Sequence, residues 1–228
     1  MKNFLIKNKN WIIIGSVAMT LSIIGYFMFK KDDEDSESED VDINEGNTTE
    51  KKSGLIFSKP VTKFKYPLIY VFGGIEYANP DWMLKQVPSY LLSRAFVVFA
   101  PYTSSFDSVK KATEKYLSDN DIEINPKKIS ITGFSAGGLN VQKALSNDFK
   151  LVGLIDPSTR SEYLNLPFSN NAVMSYNDSN WTGYPSIRAT LPKLDKVIND
   201  SSGIGEKVNL GHSAIPKYFF NKYKSKMI

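Results

Sequence analysis

From Leu55 onward the chain alternates uninterrupted apolar runs with stretches whose apolar residues recur at helical spacing. Pro67–Phe72 (PLIYVF), Ala95–Ala100 (AFVVFA), Ile129–Phe134 (ISITGF), Leu151–Ile155 (LVGLI) and Ala172–Tyr176 predict buried strands, because a strand covered on both faces has no polar side to present. Helices are predicted over Asp81–Arg94, bent at Pro88, and over Ser108–Leu117, Gly138–Leu145 and Ile187–Ile198. A short strand over Lys207–Leu210 and a closing helix from Pro216 to Lys224 complete the pattern, the proline suiting a first helical turn. Strands separated by helices predict βαβ units, hence an α/β domain over residues 55–228 with a mostly parallel, doubly wound sheet. No internal repeat is present.

The pattern upstream is different. Behind a short basic N-terminus, residues 1–10, Trp11–Phe29 is an uncharged apolar run of about 19 residues, close to the roughly 20 that a helix needs to cross a bilayer. Lys7, Lys9, Lys30 and Lys31 bracket it, with Trp11, Tyr26 and Phe27 near its ends. A cleaved signal peptide is the competing reading, but the run is long for such a segment and no small-x-small site precedes the lysine pair. Residues 11–29 are therefore expected to be a single-pass membrane anchor. Lys2, Lys7, Lys9 and the free amine outweigh Lys30 and Lys31, which places the domain on the non-cytoplasmic side. Residues 30–54 are acidic, rich in Ser and Asn and nearly free of large apolar side chains, so they are expected to form a disordered tether.

The formal charge of +4 hides this acidic stretch, which makes the remainder more basic than the total. The positive residues form no stripe and carry no interleaved aromatics, so nucleic acid is not an expected partner. The chain has no cysteine and one histidine, His212, which excludes thiol nucleophiles, disulfides and multi-histidine metal sites. Neither a metal nor a cofactor is expected.

Gly133-Phe134-Ser135-Ala136-Gly137 fits G-x-S-x-G, and its setting fits as well, with a strand before it and a helix after it. In such a nucleophile elbow the flanking positions are small because a Cβ would strike neighbouring backbone. A serine hydroxyl needs a base, and His212 follows Ser135 at the end of the last short strand. The base needs an orienting acid, and two aspartates end strands between them. Asp178 is preferred because it leaves one helix before the histidine strand. Asp156, which precedes Pro157 and Ser158 and suits a turn or cap, is the alternative. Oxyanion donors are expected at the Ala136 N–H and in the turn after the first strand, at Gly74 or Ile75. Tyr77, Trp82, Tyr102 and Trp181 follow strand ends and are candidates to line the cleft.

Ser135, an acid at Asp178 and His212 in that order, below a Gly73-Gly74 turn, resemble the α/β-hydrolase superfamily over about Leu55 to Ile228. The resemblance implies hydrolysis of an ester or thioester through an acyl-enzyme. The glycine turn departs from the HGGG pattern, with Phe72 in place of its histidine. The segment from Pro157 to Asn171 is too short for a large cap, which favours an open site for acyl groups presented on larger molecules. Two other readings stand beside this one: a hydrolase-fold domain that binds without catalysing, and a peptidase of the same fold. Asn47, Asn177, Asn180 and Asn199 each begin an N-x-Ser/Thr motif. A glycan on Asn177 or Asn180 would sit against the proposed acid, which suits a bacterial or phage-encoded product.

Overall fold

The computed structural model describes residues 46–61, 65–75, 78–145, 148–177 and 185–228, apart from the side chains of Pro185 and Arg188. The apolar run 11–29 and most of the tether lie outside these residues. No helix among the described residues is long and apolar enough to cross a membrane.

The strands are β1 (Asn47–Lys52), β2 (Leu55–Pro60), β3 (Tyr66–Phe72), β4 (Phe96–Ala100), β5 (Ile124–Phe134), β6 (Leu151–Ile155), β7 (Ala172–Tyr176) and β8 (Ile204–Lys207). They form one eight-stranded sheet in the order β1-β2-β4-β3-β5-β6-β7-β8. The β1–β2 and β2–β4 pairs are antiparallel and the rest are parallel. The central strands β3, β4, β6 and β7 are buried at every position, as their unbroken apolar sequences require.

Alternate residues feed two cores. Leu68, Tyr70 and Phe72 face α3 (Phe106–Asp119), α4 (Gly138–Lys143) and α5 (Pro185–Asp200). Ile69 and Val71 face α1 (Pro80–Leu84), α2 (Ser89–Leu92) and α6 (Ile215–Met227). The chain leaves β3 toward β4 on one side and then toward β5 on the other. Strand order therefore reverses between β3 and β5, and the crevice this opens at their carboxyl ends is where such sheets place ligands.

Three expectations need correction. The tether was expected to extend to residue 54, but Asn47–Lys52 is β1, joined to β2 by Ser53 and Gly54 at φ 53° and 74°. Two left-handed residues make the tight turn that suits the twist of a hairpin. The polar character of β1 is compatible with a strand because its side chains find partners on neighbouring elements: Asn47 Nδ2 donates to Ser58 Oγ on β2 at 2.8 Å, and Glu50 accepts from the Tyr116 hydroxyl on α3 at 2.6 Å. The helix expected over Asp81–Arg94 is two short helices interrupted at Pro88, which has no N–H to continue the first. The last strand lies at Ile204–Lys207, not Lys207–Leu210, in register with Val173–Tyr176. His212 consequently stands beyond the strand, opening a 3-10 turn over His212–Ala214.

Candidate active site

β5 runs directly into Ser135, which begins a 3-10 turn over Ser135–Gly137 that leads into α4. Ser135 has φ 51°, a left-handed conformation unusual for a residue with a side chain, and it is buried. The turn closes only because its neighbours lack side chains. A Cβ on Gly133 would lie 2.4 Å from the Gly137 carbonyl oxygen, and one on Gly137 would lie 2.4 Å from the Gly73 oxygen. The N–H of Ala136, in the first turn of the short helix, has no acceptor among the described residues.

Asp156 ends β6 with φ 40°, a second left-handed residue on the same edge of the sheet. Its backbone N–H donates to Ser175 O at 2.7 Å and its carboxylate, 4% exposed, divides its two oxygens. Oδ1 accepts the Asn177 backbone N–H at 3.0 Å, and Oδ2 lies 2.5 Å from His212 Nδ1. Asp156 is the alternative of the two strand-end aspartates; Asp178, the preferred one, lies outside the described residues. The pairing of Asp156 with the imidazole rests on the abrupt backbone turn at its strand end, which strand spacing does not reveal.

The imidazole is held from below by aromatic packing. Its ring centroid is 4.5 Å from that of Phe134, and Phe134 is stacked on Trp82 at 5.6 Å. Phe134 directly precedes Ser135, so the imidazole packs on the residue next to the serine in the chain. Among the described residues no hydrogen bond joins the Ser135 hydroxyl to the ring. Of the other cleft candidates, Tyr102 is exposed, while Tyr77 and Trp181 lie outside the described residues.

The glycine turn after β3 divides the expected oxyanion donors. The Gly73 N–H donates to Ala100 O at 2.9 Å and the Gly74 N–H to Ala78 O at 2.8 Å, so Gly74 has no proton to offer a substrate. This corrects the expectation for Gly74. Its contribution is steric instead, since a Cβ there would lie 3.0 Å from the Ser135 Cβ. Ile75, next along the turn, is 46% exposed, and its N–H has no acceptor among the described residues.

Two groups of supporting residues escaped the sequence reading. Gln142, on α4 and buried, donates from Nε2 to Gly138 O at 2.8 Å and to Ser158 O at 2.9 Å, while its Oε1 accepts from Thr159 Oγ1 at 2.7 Å. The Ser158 N–H closes the link with a 2.7 Å bond to Ser135 O. The segment after Asp156 is thus fastened to the serine turn. Asn177 is the second supporting residue, 1% exposed, with Nδ2 donating to Leu210 O at 2.7 Å. A polar residue just past a buried strand is the signal the sequence offers for this position, alongside its glycosylation motif. The structure leaves that amide inaccessible to a glycan, and the Asn47 amide is similarly enclosed.

No protein-family model matches the chain, and no curated protein sequence matches it. Among solved structures, the chain is similar to an S-formylglutathione hydrolase from Agrobacterium tumefaciens, with a TM-score of 0.62 at 11% identity over 84% of this chain and 98% of that one. It is also similar to the enterobactin and salmochelin hydrolase IroE, with a TM-score of 0.50 at 12% identity over 84% and 93% of the two chains. Carboxyl esterase 2 from Tuber melanosporum gives a TM-score of 0.50 at 13% identity over 84% and 87%. At these identities the likeness concerns the fold, an α/β-hydrolase architecture.

Proposed function

We propose that the domain is a serine hydrolase of esters or thioesters, with Ser135 as nucleophile, His212 as base and Asp156 as the orienting acid. The observation that carries this reading is the buried Asp156 carboxylate 2.5 Å from His212 Nδ1, with the imidazole packed on Phe134, the residue before a serine at φ 51°. Each part has a chemical task. A carboxylate on Nδ1 fixes the tautomer in which Nε2 is the acceptor for the Ser135 proton, and it stabilises the imidazolium that follows. The Ser135–His212 hydrogen bond is made as substrate fills the site, since catalytic bonds of this kind commonly reach their working geometry only with substrate bound. The hydroxyl oxygen then attacks the acyl carbonyl, whose oxygen gathers negative charge against the Ala136 and Ile75 N–H groups. His212 returns the proton to the leaving alcohol or thiol, and water repeats the sequence on the acyl-enzyme.

The same reading places the domain at a membrane through residues 11–29, acting on acyl groups that an open site can receive. The short connection between β6 and β7, whose only helical piece is the 3-10 turn Ser161–Asn165, supports an uncapped site. A fluorophosphonate probe tests the proposal: the wild-type chain should be labelled, and Ser135→Ala should abolish labelling. A folded wild type that takes up no probe would show that the fold does not catalyse here.

A further inference from the structure

Asn177 bonds both to the acid of the acid–imidazole pair and to the chain just before the imidazole. It sits immediately past β7, and its backbone N–H holds Asp156 Oδ1 at 3.0 Å, leaving Oδ2 to His212. Its side-chain amide donates to Leu210 O at 2.7 Å, two residues before His212. The bonds form a closed ring that runs from the Asn177 N–H through Asp156 to His212, back along the chain to Leu210, and across to the Asn177 side chain.

The ring adds a polar constraint where the strand stops. β8 ends at Lys207, and among the described residues the Val208 N–H continues the ladder by donating to Tyr176 O at 2.8 Å. Val208 and Leu210 then pack against the second core, while Gly211, next to the imidazole, is exposed. The Asn177 amide ties Leu210 to the end of β7 two residues before the imidazole. An amide suits the position where a carboxylate would not, because a carbonyl oxygen 2.7 Å away demands a donor.

We infer that Asn177 is a positioning residue that sets the direction of the Asp156 carboxylate and the height of the His212 loop together. The inference rests on the proposed triad, but its geometry is measurable without turnover. The chain has one histidine, so ring ¹⁵N chemical shifts of selectively labelled protein report His212 alone. In wild type they should show the Nδ1–H tautomer, held by Asp156. In Asn177→Leu, which keeps the volume and removes the donor, and in Asn177→Asp, which keeps the shape and reverses the polarity, the shifts should move toward a tautomer mixture. Fluorophosphonate labelling of Ser135 should slow by about 100-fold, the cost of a displacement of about 1 Å, with KM for p-nitrophenyl acetate unchanged. Should the leucine variant fail to fold, the isosteric aspartate variant carries the test.

A folded variant that keeps both the wild-type shifts and the labelling rate overturns the inference, as does a wild type whose imidazole already populates both tautomers. If wild type takes no probe but its Nδ1–H tautomer is lost on substitution, the hydrolase proposal fails and the clamp stands.

Discussion

The Asp156 carboxylate divides its oxygens between a backbone N–H and an imidazole, so a change at this residue acts on tautomer rather than on shape. Asp156→Asn keeps an oxygen for the Asn177 N–H but offers His212 an uncharged partner. Turnover of p-nitrophenyl acetate should fall by a factor on the order of 10⁴, the loss typical when such a carboxylate becomes an amide, with melting temperature little changed. Asp178→Asn should leave turnover near wild type, and the reverse ranking in side-by-side kinetics would restore Asp178 as the acid. Gly74→Ala sets a different kind of test, since its Cβ would arrive 3.0 Å from that of Ser135 while the backbone hydrogen bond to Ala78 survives. It should slow probe labelling of Ser135 far more than it lowers the melting temperature. Ser135 and His212 stand out as candidates in the sequence because G-x-S-x-G and a lone imidazole are chemical signatures that need no coordinates. The pairing of Asp156 with His212 is not legible there, because it comes with a φ of 40° at Asp156, and strand spacing carries no information about that angle.

Elements that are covered on both faces announce themselves, and those that exchange polar groups do not. β6 and β7 have the bounds expected from their apolar runs. β8 reads as polar because Glu206 points into a network: it accepts from Ser175 Oγ at 2.7 Å and from the Tyr223 hydroxyl at 2.8 Å, and it pairs with Lys222. These bonds join β7, β8 and α6, the elements that flank the His212 loop. Burial raises the Glu206 carboxyl, but hydrogen bonds from Lys222, Ser175 and Tyr223 outweigh it and hold the group below the usual carboxylate range. A folded value below the unfolded one means that the stabilisation is complete above the ordinary glutamate value of about 4.3 and is lost as pH falls through the depressed folded value. Thermal melts across acid pH should therefore show wild type more stable than Glu206→Gln near neutrality, with the gap closing as the solution is acidified. A gap independent of pH would mean that the network acts through packing alone.

For the whole molecule, the parts of the proposed machinery lie on one edge of one sheet, in turns that follow β3, β5, β6, β7 and β8. Topology explains the convergence: parallel strands deliver their carboxyl ends to the same side, and the reversal of order between β3 and β5 opens space there. None of these parts comes from residues 11–29, so membrane attachment and chemistry should separate cleanly. Met19→Lys together with Leu21→Lys puts two charges at the middle of the apolar run, and each opposes insertion by about 3 kcal/mol at the centre of a spanning helix. The doubly substituted chain should leave the carbonate-resistant membrane fraction for the soluble one. Its labelling by fluorophosphonate and its turnover of p-nitrophenyl acetate, a water-soluble ester that needs no membrane to reach Ser135, should stay at wild-type values. Persistence in the membrane fraction would count against residues 11–29 as the anchor. Loss of labelling by a folded, soluble chain would instead mean that the site depends on the segment upstream of β1, contrary to a site assembled at the carboxyl edge of this sheet.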